Sequence, residues 1–443
     1  MKRAVGNGGF AGAISWGEMV GGVDYGFAVV STDAGTHDAG PGADAKWAEN
    51  NTEQVTDWGW RALHETVLMG KKLVTEHYGR APSHSYYMGC STGGRQGLKE
   101  AQLFPEEFDG IIAGAPAWWT KHLQLWNGKV AMYNLPIDAS HHIPTEMFAV
   151  IEREVLKQCD PQDGVVDNII SDPSKCEFKL ETLLCGAGTT KNCLTLPQIN
   201  MLEKVYSDWT EANQTTIFSH LFYGSESSWP MAMGQKEPPT LMTGYVKYML
   251  GLGPNWRWQD TNFPELIALS DRMNVGNATA DNFDMSPYFK RGGKLLHYHG
   301  WADSSITPGS SIHFRKQVER TLKTKGFQDL DSSYRFFLVP GMGHCGGSSS
   351  LTNAPDFIGA RGGMGMNKEL SAKLRTPKHD ILLAMMHWVE NGTAPDSIIA
   401  SKIDAKAGGI YQQRPLCVYP KQARYRGTGD VKDASSWECK ALY

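Results

Sequence analysis

The stretch Ser85-Tyr86-Tyr87-Met88-Gly89-Cys90-Ser91-Thr92-Gly93-Gly94-Arg95 reads as a strand, a sharp turn and the start of a helix. Tyr86-Tyr87-Met88 suits a buried strand, and residues 93–103 are helix-like. Between them lies a Gly-x-Ser-x-Gly pentapeptide, residues 89–93. Its glycines permit a tight strand-to-helix turn, where larger side chains would collide with the adjoining strand and helix. The pentapeptide by itself also suits a Gly-Ser turn on a surface. The strand before it and the helix after it favour Ser91 as a nucleophile.

The same strand–helix rhythm extends outward. Strands are expected at residues 25–31, 85–89, 110–114, 294–299 and 334–339. Helices are expected at 52–78, stopped by Gly79, at 93–103, and at 381–390, stopped by Asn391-Gly392. From Trp119 to Ser286 the rhythm fails in a long segment rich in Trp, Met, Asn and Pro that holds four cysteines. The expected fold class is therefore α/β, a mostly parallel sheet of the α/β-hydrolase type with helices on both faces. Residues 1–118 form the first part of the core, 119–286 a large inserted lid, and 287–443 the second part with a tail wrapping the core.

A serine nucleophile needs a base and a group to orient that base, and in this fold the chain order is Ser, then Asp or Glu, then His. Asp303 follows the 294–299 strand in His299-Gly300-Trp301-Ala302-Asp303. Its competing role is an N-cap for a helix near Thr307-Pro308. His344 follows the 334–339 strand in Pro340-Gly341-Met342-Gly343-His344-Cys345, with a metal or surface histidine as the competing role. His297 and His299 read as hydrogen-bonded strand residues rather than rivals. The oxyanion requires backbone N–H donors, expected from Thr92 and from Gly8 or Gly9 in the glycine-rich segment 6–12. A flexible terminus is the other reading of that segment. Strands preceding it are expected to be missing from this chain.

The eight cysteines suggest three local couples: Cys159 with Cys176, Cys185 with Cys193, and Cys417 with Cys439. That leaves Cys90, which precedes Ser91, and Cys345, which follows His344. If serine and histidine are within hydrogen-bond reach, these two sulfurs are close, and a disulfide between them would clamp nucleophile to base. An even cysteine count and four Asn-x-Ser/Thr sequons, at Asn50, Asn213, Asn277 and Asn391, favour an oxidising, secretory compartment and a glycoprotein. Residues 1–12 lack the apolar core of a signal peptide, so the natural N-terminus is expected to be absent. A net charge of -4 without a basic block points away from nucleic acid, and no apolar run is long enough to span a membrane. Oligomeric state is not legible.

Gly-Cys-Ser-x-Gly-Gly at 89–94, Gly-Trp-Ala-Asp at 300–303 and Gly-His-Cys at 343–345 together resemble the tannase and feruloyl esterase family. Gly-Ala-Pro-Ala-Trp-Trp at 114–119 and Gly-Gly-Lys-Leu-Leu at 292–296 fit the same pattern. The resemblance implies an α/β-hydrolase core, a large lid and hydrolysis of phenolic-acid esters. It carries over Ser91, Asp303 and His344 as the triad and Cys90–Cys345 as the clamp. Feruloyl or related hydroxycinnamoyl esters of plant cell-wall polysaccharides, xylan among them, are the expected substrates, and galloyl esters are the alternative. An inactive hydrolase fold used for binding is the alternative of another class. Trp118 and Trp301 are candidates for the pocket wall, with core packing as an equal alternative for each.

Asp160-Pro161-Gln162-Asp163-Gly164-Val165-Val166-Asp167-Asn168-Ile169 puts three carboxylates around a glycine turn. Such a loop can converge on a hard cation, or be a solvated acidic turn. The resemblance implies a structural Ca2+ held by the side chains of Asp160, Asp163 and Asp167 and the carbonyls of Val165 and Ile169. No organic cofactor is expected.

Overall fold

The computed structural model describes residues 2–37, 44–186, 191–359, 368–404, 406 and 408–441. Four strands come early: β1 (Lys2–Val5), β2 (Ala28–Val30), β3 (Ser85–Cys90) and β4 (Gly110–Gly114). A small antiparallel pair follows, β5 (Trp209–Thr210) and β6 (Thr216–Phe218). Then come β7 (Lys294–Gly300) and β8 (Tyr334–Val339). The main sheet runs β2-β1-β3-β4-β7-β8, and every pairing in it is parallel.

Strand periodicity explains the layers. Tyr87, Ile111, Leu295 and Phe336 turn to one face, where they meet Leu63 and Val67 of α3 (Ala62–Tyr78), Leu98 of α4 (Thr92–Leu103), and Phe314 and Val318 of α12 (Pro308–Lys323). Their neighbours Tyr86, Ile112, Leu296 and Phe337 turn to the other face and bury Leu382, Met385 and Trp388 of α14 (Ile381–Asn391). A parallel sheet covered on both faces is the α/β-hydrolase arrangement expected from the sequence.

Three elements depart from expectation. Lys2–Val5 is a central strand, paired with both β2 and β3, so one strand does precede the glycine-rich segment. Its polar start hid it: Lys2 and Arg3 are fully buried, with the Lys2 ammonium donating to the Val67 carbonyl and Arg3 facing Glu18. Burial pushes the Lys2 ammonium down to about 7. The strand expected at 25–31 shrinks to β2, because α1 (Trp16–Asp24) ends at Tyr25 and Gly26 turns the chain at φ +82°. The helix expected at 52–78 is interrupted by a π turn at Asp57–Arg61, between α2 (Thr52–Thr56) and α3. That turn frees carbonyls, and the buried Arg95 guanidinium takes those of Trp58 and Gly59.

The segment between β4 and β7 gives the main sheet no strand among the described residues. It carries α5 (Thr120–Tyr133), α6 (Phe148–Cys159), α7 (Leu196–Val205), α8 (Trp229–Met233), α9 (Thr240–Gly244), α10 (Phe263–Met273) and α11 (Ser286–Lys290). Trp126, Phe148, Ile151, Leu202 and Trp229 form a core of its own. The C-terminal tail holds two antiparallel pairs, β9 (Ser397–Asp404) with β10 (Gly409–Cys417), and β11 (Gln422–Tyr425) with β12 (Trp437–Lys440). α13 (Lys368–Leu374) precedes α14, and Ile398, Ala400 and Leu416 of this tail pack with α14.

Candidate active site

Ser91 sits between β3 and α4 with φ +65° and ψ -125°, a strained geometry for a residue with a side chain. Backbone bonds hold it there: its N–H donates to the Gly114 carbonyl at 3.0 Å, and its carbonyl accepts from Ala117 at 3.0 Å. The glycines on each side have steric causes. A Cβ on Gly89 would lie 2.6 Å from the Gly93 backbone, and one on Gly94 would lie 2.4 Å from the Gly114 carbonyl oxygen.

His344 comes from the loop after β8. That loop approaches β7 closely enough that a Cβ on Gly300 would meet the Met342 carbonyl oxygen at 2.1 Å. The His344 Nδ1 lies 2.8 Å from Asp303 Oδ2. Asp303 is fully buried beyond the end of β7. Its Oδ1 accepts the N–H groups of Ser305 and Ile306, each at 2.9 Å, and its Oδ2 also receives His299 Nε2 at 3.0 Å. Burial alone would raise this carboxyl; the charge of His344 and hydrogen bonds from His299 and His344 hold it well below the usual carboxylate range.

Ser91 and His344 line one cavity of about 400 Å³, and the Cys90–Cys345 disulfide ties their neighbours with Cα atoms 5.9 Å apart. Thr92, Gly8 and Gly9 line the same cavity, and the Thr92 hydroxyl donates to the Gly9 carbonyl at 2.9 Å. Thr92 occupies the first position of α4, where backbone N–H groups lack intrahelical partners. Leu123, Gln124 and Asn127 of α5, with Met231 and Leu241, complete an apolar wall carrying two amides. Three further disulfides are Cys159–Cys176, Cys185–Cys193 and Cys417–Cys439.

Both pocket tryptophans belong elsewhere. Trp118 is buried in the sheet core, stacked on Trp119, with its indole N–H donating to the Ser310 carbonyl at 3.0 Å. Trp301 packs edge-on against Phe222 and lines a different cavity with Lys316 and Tyr419. The tryptophans stand out by residue type alone, whereas α5 and the 231–241 region, which carry no motif, supply the wall.

In the acidic loop, Asp160 accepts the N–H groups of Asp167, Asn168 and Ile169, and Asp163 accepts those of Val165 and the Ser171 hydroxyl. Arg414 of β10, which no motif marks, pairs with Asp167. Among the described residues no three His, Cys, Asp or Glu side chains are gathered as a ready metal site. Yet three carboxylates face one guanidinium, and Asp167 Oδ1 is buried without a hydrogen-bond partner. Burial and the neighbouring Asp160 and Asp163 push Asp167 up to about 6 despite Arg414. An oxygen-rich, under-neutralised loop is chemically suited to a hard cation.

The family model for tannase and feruloyl esterase matches residues 2–246 and 257–440. The chain belongs to the tannase and feruloyl esterase family. As a member it is a carboxylic ester hydrolase. It is 34% identical over 439 residues to a probable feruloyl esterase B-1 of Aspergillus oryzae, covering 98% of this chain and 78% of that protein. Its fold superposes on the crystal structure of feruloyl esterase B from Aspergillus oryzae with a TM-score of 0.90, at 33% identity, over 99% of this chain and 85% of that one. Tannin acyl hydrolase from Aspergillus niger shares the fold, with a TM-score of 0.78 at 23% identity, over 99% of this chain and 80% of that one.

Proposed function

We propose that this chain is a secreted serine esterase that releases hydroxycinnamic acids, ferulic acid above all, from esters on plant cell-wall polysaccharides such as xylan. The observation that carries the reading is the sharing of one cavity by Ser91 and the Asp303-bound His344, in a chain 34% identical to a probable feruloyl esterase over 98% of its length. His344 takes the Ser91 proton as the serine attacks the ester carbonyl. The N–H of Thr92, with one from Gly8 or Gly9, stabilises the oxyanion. His344 then protonates the departing alcohol, and water, activated by the same histidine, frees the acid. The apolar wall suits a phenylpropenoyl group, and Gln124 and Asn127 are the groups available to its ring oxygens.

The test is parallel hydrolysis of methyl ferulate and methyl gallate by the parent and Ser91→Ala. Faster turnover of methyl ferulate, abolished in Ser91→Ala, is the expected result. Faster turnover of methyl gallate would make the chain a tannase, and no turnover of either would favour a binding protein.

The acidic loop is proposed to hold a structural Ca2+ through Asp160, Asp163 and Asp167 with the Val165 and Ile169 carbonyls, away from the serine. Three carboxylates against one guanidinium leave two uncompensated negative charges, which a divalent cation would offset. A chelator should lower the unfolding temperature, and added calcium should restore it; an unfolding curve indifferent to both would remove the ion. Secretion and glycosylation are supported by four disulfides and by the exposure of all four sequon asparagines, Asn50, Asn213, Asn277 and Asn391. No helix among the described residues is long and apolar enough to cross a membrane.

A further inference from the structure

Behind Asp303 lies a buried row of side chains outside the triad. His299 Nε2 is 3.0 Å from Asp303 Oδ2 and 2.8 Å from the Ile306 carbonyl oxygen. His299 Nδ1 is 2.7 Å from Ser311 Oγ, which is 2.8 Å from His297 Nε2; His297 Nδ1 is 2.7 Å from Tyr334 Oη. All five, Asp303 included, are fully buried. The strand and helix periods bring them together: His297 and His299 alternate along β7 toward α12, and Ser311 lies in the first turn of α12.

The chemistry fixes the proton nearest Asp303. The Ile306 carbonyl and the ionised Asp303 only accept, so His299 Nε2 carries a hydrogen. With His299 neutral, its Nδ1 accepts from the Ser311 hydroxyl. Ser311 Oγ then accepts from His297 Nε2–H, and His297 Nδ1 accepts from Tyr334. Burial pushes His297 well below the usual histidine range, in keeping with a neutral ring. With both rings neutral, each bond in the row donates toward Asp303. The imidazoles of His299 and His344 share Oδ2 while two amides hold Oδ1, so the carboxylate cannot rotate away from His344. A structural filler would not need polarity here, and burying unpaired polar groups is costly.

We propose that His299, with Ser311 and His297 behind it, is a positioning residue that keeps Asp303 ionised and aimed at His344. The proposal rests on the triad reading above. Its consequence concerns basicity as well as geometry: a carboxylate that has lost the His299 donor would hold the His344 imidazolium more tightly. The titratable and charged groups along the row are His344 from the loop after β8, His297 and His299 from β7, Arg315 from α12, and Tyr334 from β8.

The experiment is the pH profile of methyl ferulate hydrolysis by the parent, His299→Met, His299→Gln, Ser311→Ala and Ser91→Ala. His299→Met should lose roughly 10- to 100-fold in kcat, the worth of one hydrogen bond to a charged group, with KM little changed. The acid limb of its kcat/KM profile should move to higher pH. His299→Gln, which can donate to Asp303 and accept from Ser311, should recover most of the rate and the parental limb. Ser311→Ala should show a smaller loss with a limb between the two. A folded His299→Met with parental kcat and an unmoved limb overturns the proposal, as does equal impairment of the Met and Gln variants. Should His299→Met fail to fold, a parental profile for Ser311→Ala overturns it instead. Hydrolysis persisting in Ser91→Ala would overturn the triad reading itself, whereas an inert Ser91→Ala beside an unaffected His299→Met overturns only the role of His299.

Discussion

Asp303 and Asp167 are both buried aspartates with a basic side chain against them, yet their carboxyl groups shift in opposite directions. Burial raises each. Around Asp303, two N–H groups and two imidazoles all donate to one carboxylate. Around Asp167, Asp160 and Asp163 repel, Arg414 is itself buried, and one oxygen of Asp167 has no partner. The lesson is that partners, and not depth, set the charge of a buried acid. Asp303 is fully supplied with donors, while the acidic loop is left short of positive charge.

The harshest way to break the contrast is Asp303→Asn. The amide preserves shape but presents His344 with the wrong tautomer, and activity should fall by about four orders of magnitude. A loss below tenfold would mean that the carboxylate is not orienting the base. At the loop, Arg414→Met removes the one guanidinium and should cost about 3–5 kcal/mol in denaturant unfolding with chelator present, the usual penalty for breaking a buried pair. Calcium should recover part of that loss; an unchanged midpoint would remove the loop from the comparison.

The next effect is on acid stability. The folded Asp303 carboxyl lies below its unfolded value, so its stabilisation is full above about pH 4, the unfolded aspartate range, and declines as the pH falls through the folded value. Thermal unfolding between pH 2 and 6 should show Asp303→Asn losing less stability on acidification than the parent; equal slopes would deny the shift. A further effect is at Glu226, a third buried acid with the Tyr206 hydroxyl and the Gly224 N–H among its donors. Burial and nearby Glu152 push it up to about 8. Its sign is opposite: the stability linked to its proton is full below about pH 4.5 and is lost as the pH rises through 8. Glu226→Gln should therefore flatten the decline in unfolding temperature from pH 5 to 9, and an unaltered slope would contradict the rule.

Much of this was legible in the sequence wherever a local pattern has one physical solution. Residues 85–95 and the strand at 110–114 read directly, because strand spacing and the glycine turn leave little choice. The cysteines flanking Ser91 and His344 linked positions 255 residues apart, which periodicity alone does not reach. What stayed hidden depends on long-range partners. β1 looked polar because Lys2 and Arg3 find their partners only after folding. The carbonyls freed by the π turn at Asp57–Arg61 find their partner in Arg95, far along the chain. The pocket wall escaped for the opposite reason: Trp118 and Trp301 were conspicuous, but large aromatics serve the core as readily as a site. His299 was visible as a residue, and its direction toward Asp303 required Ser311 from another element.

The most direct measurement is covalent labelling with a serine-directed aryl phosphonate, followed by mass mapping of the modified peptide. The account predicts one stoichiometric adduct on Ser91, formed rapidly by the parent and far more slowly by Asp303→Asn. An adduct on another serine, or none on a folded chain, would contradict it.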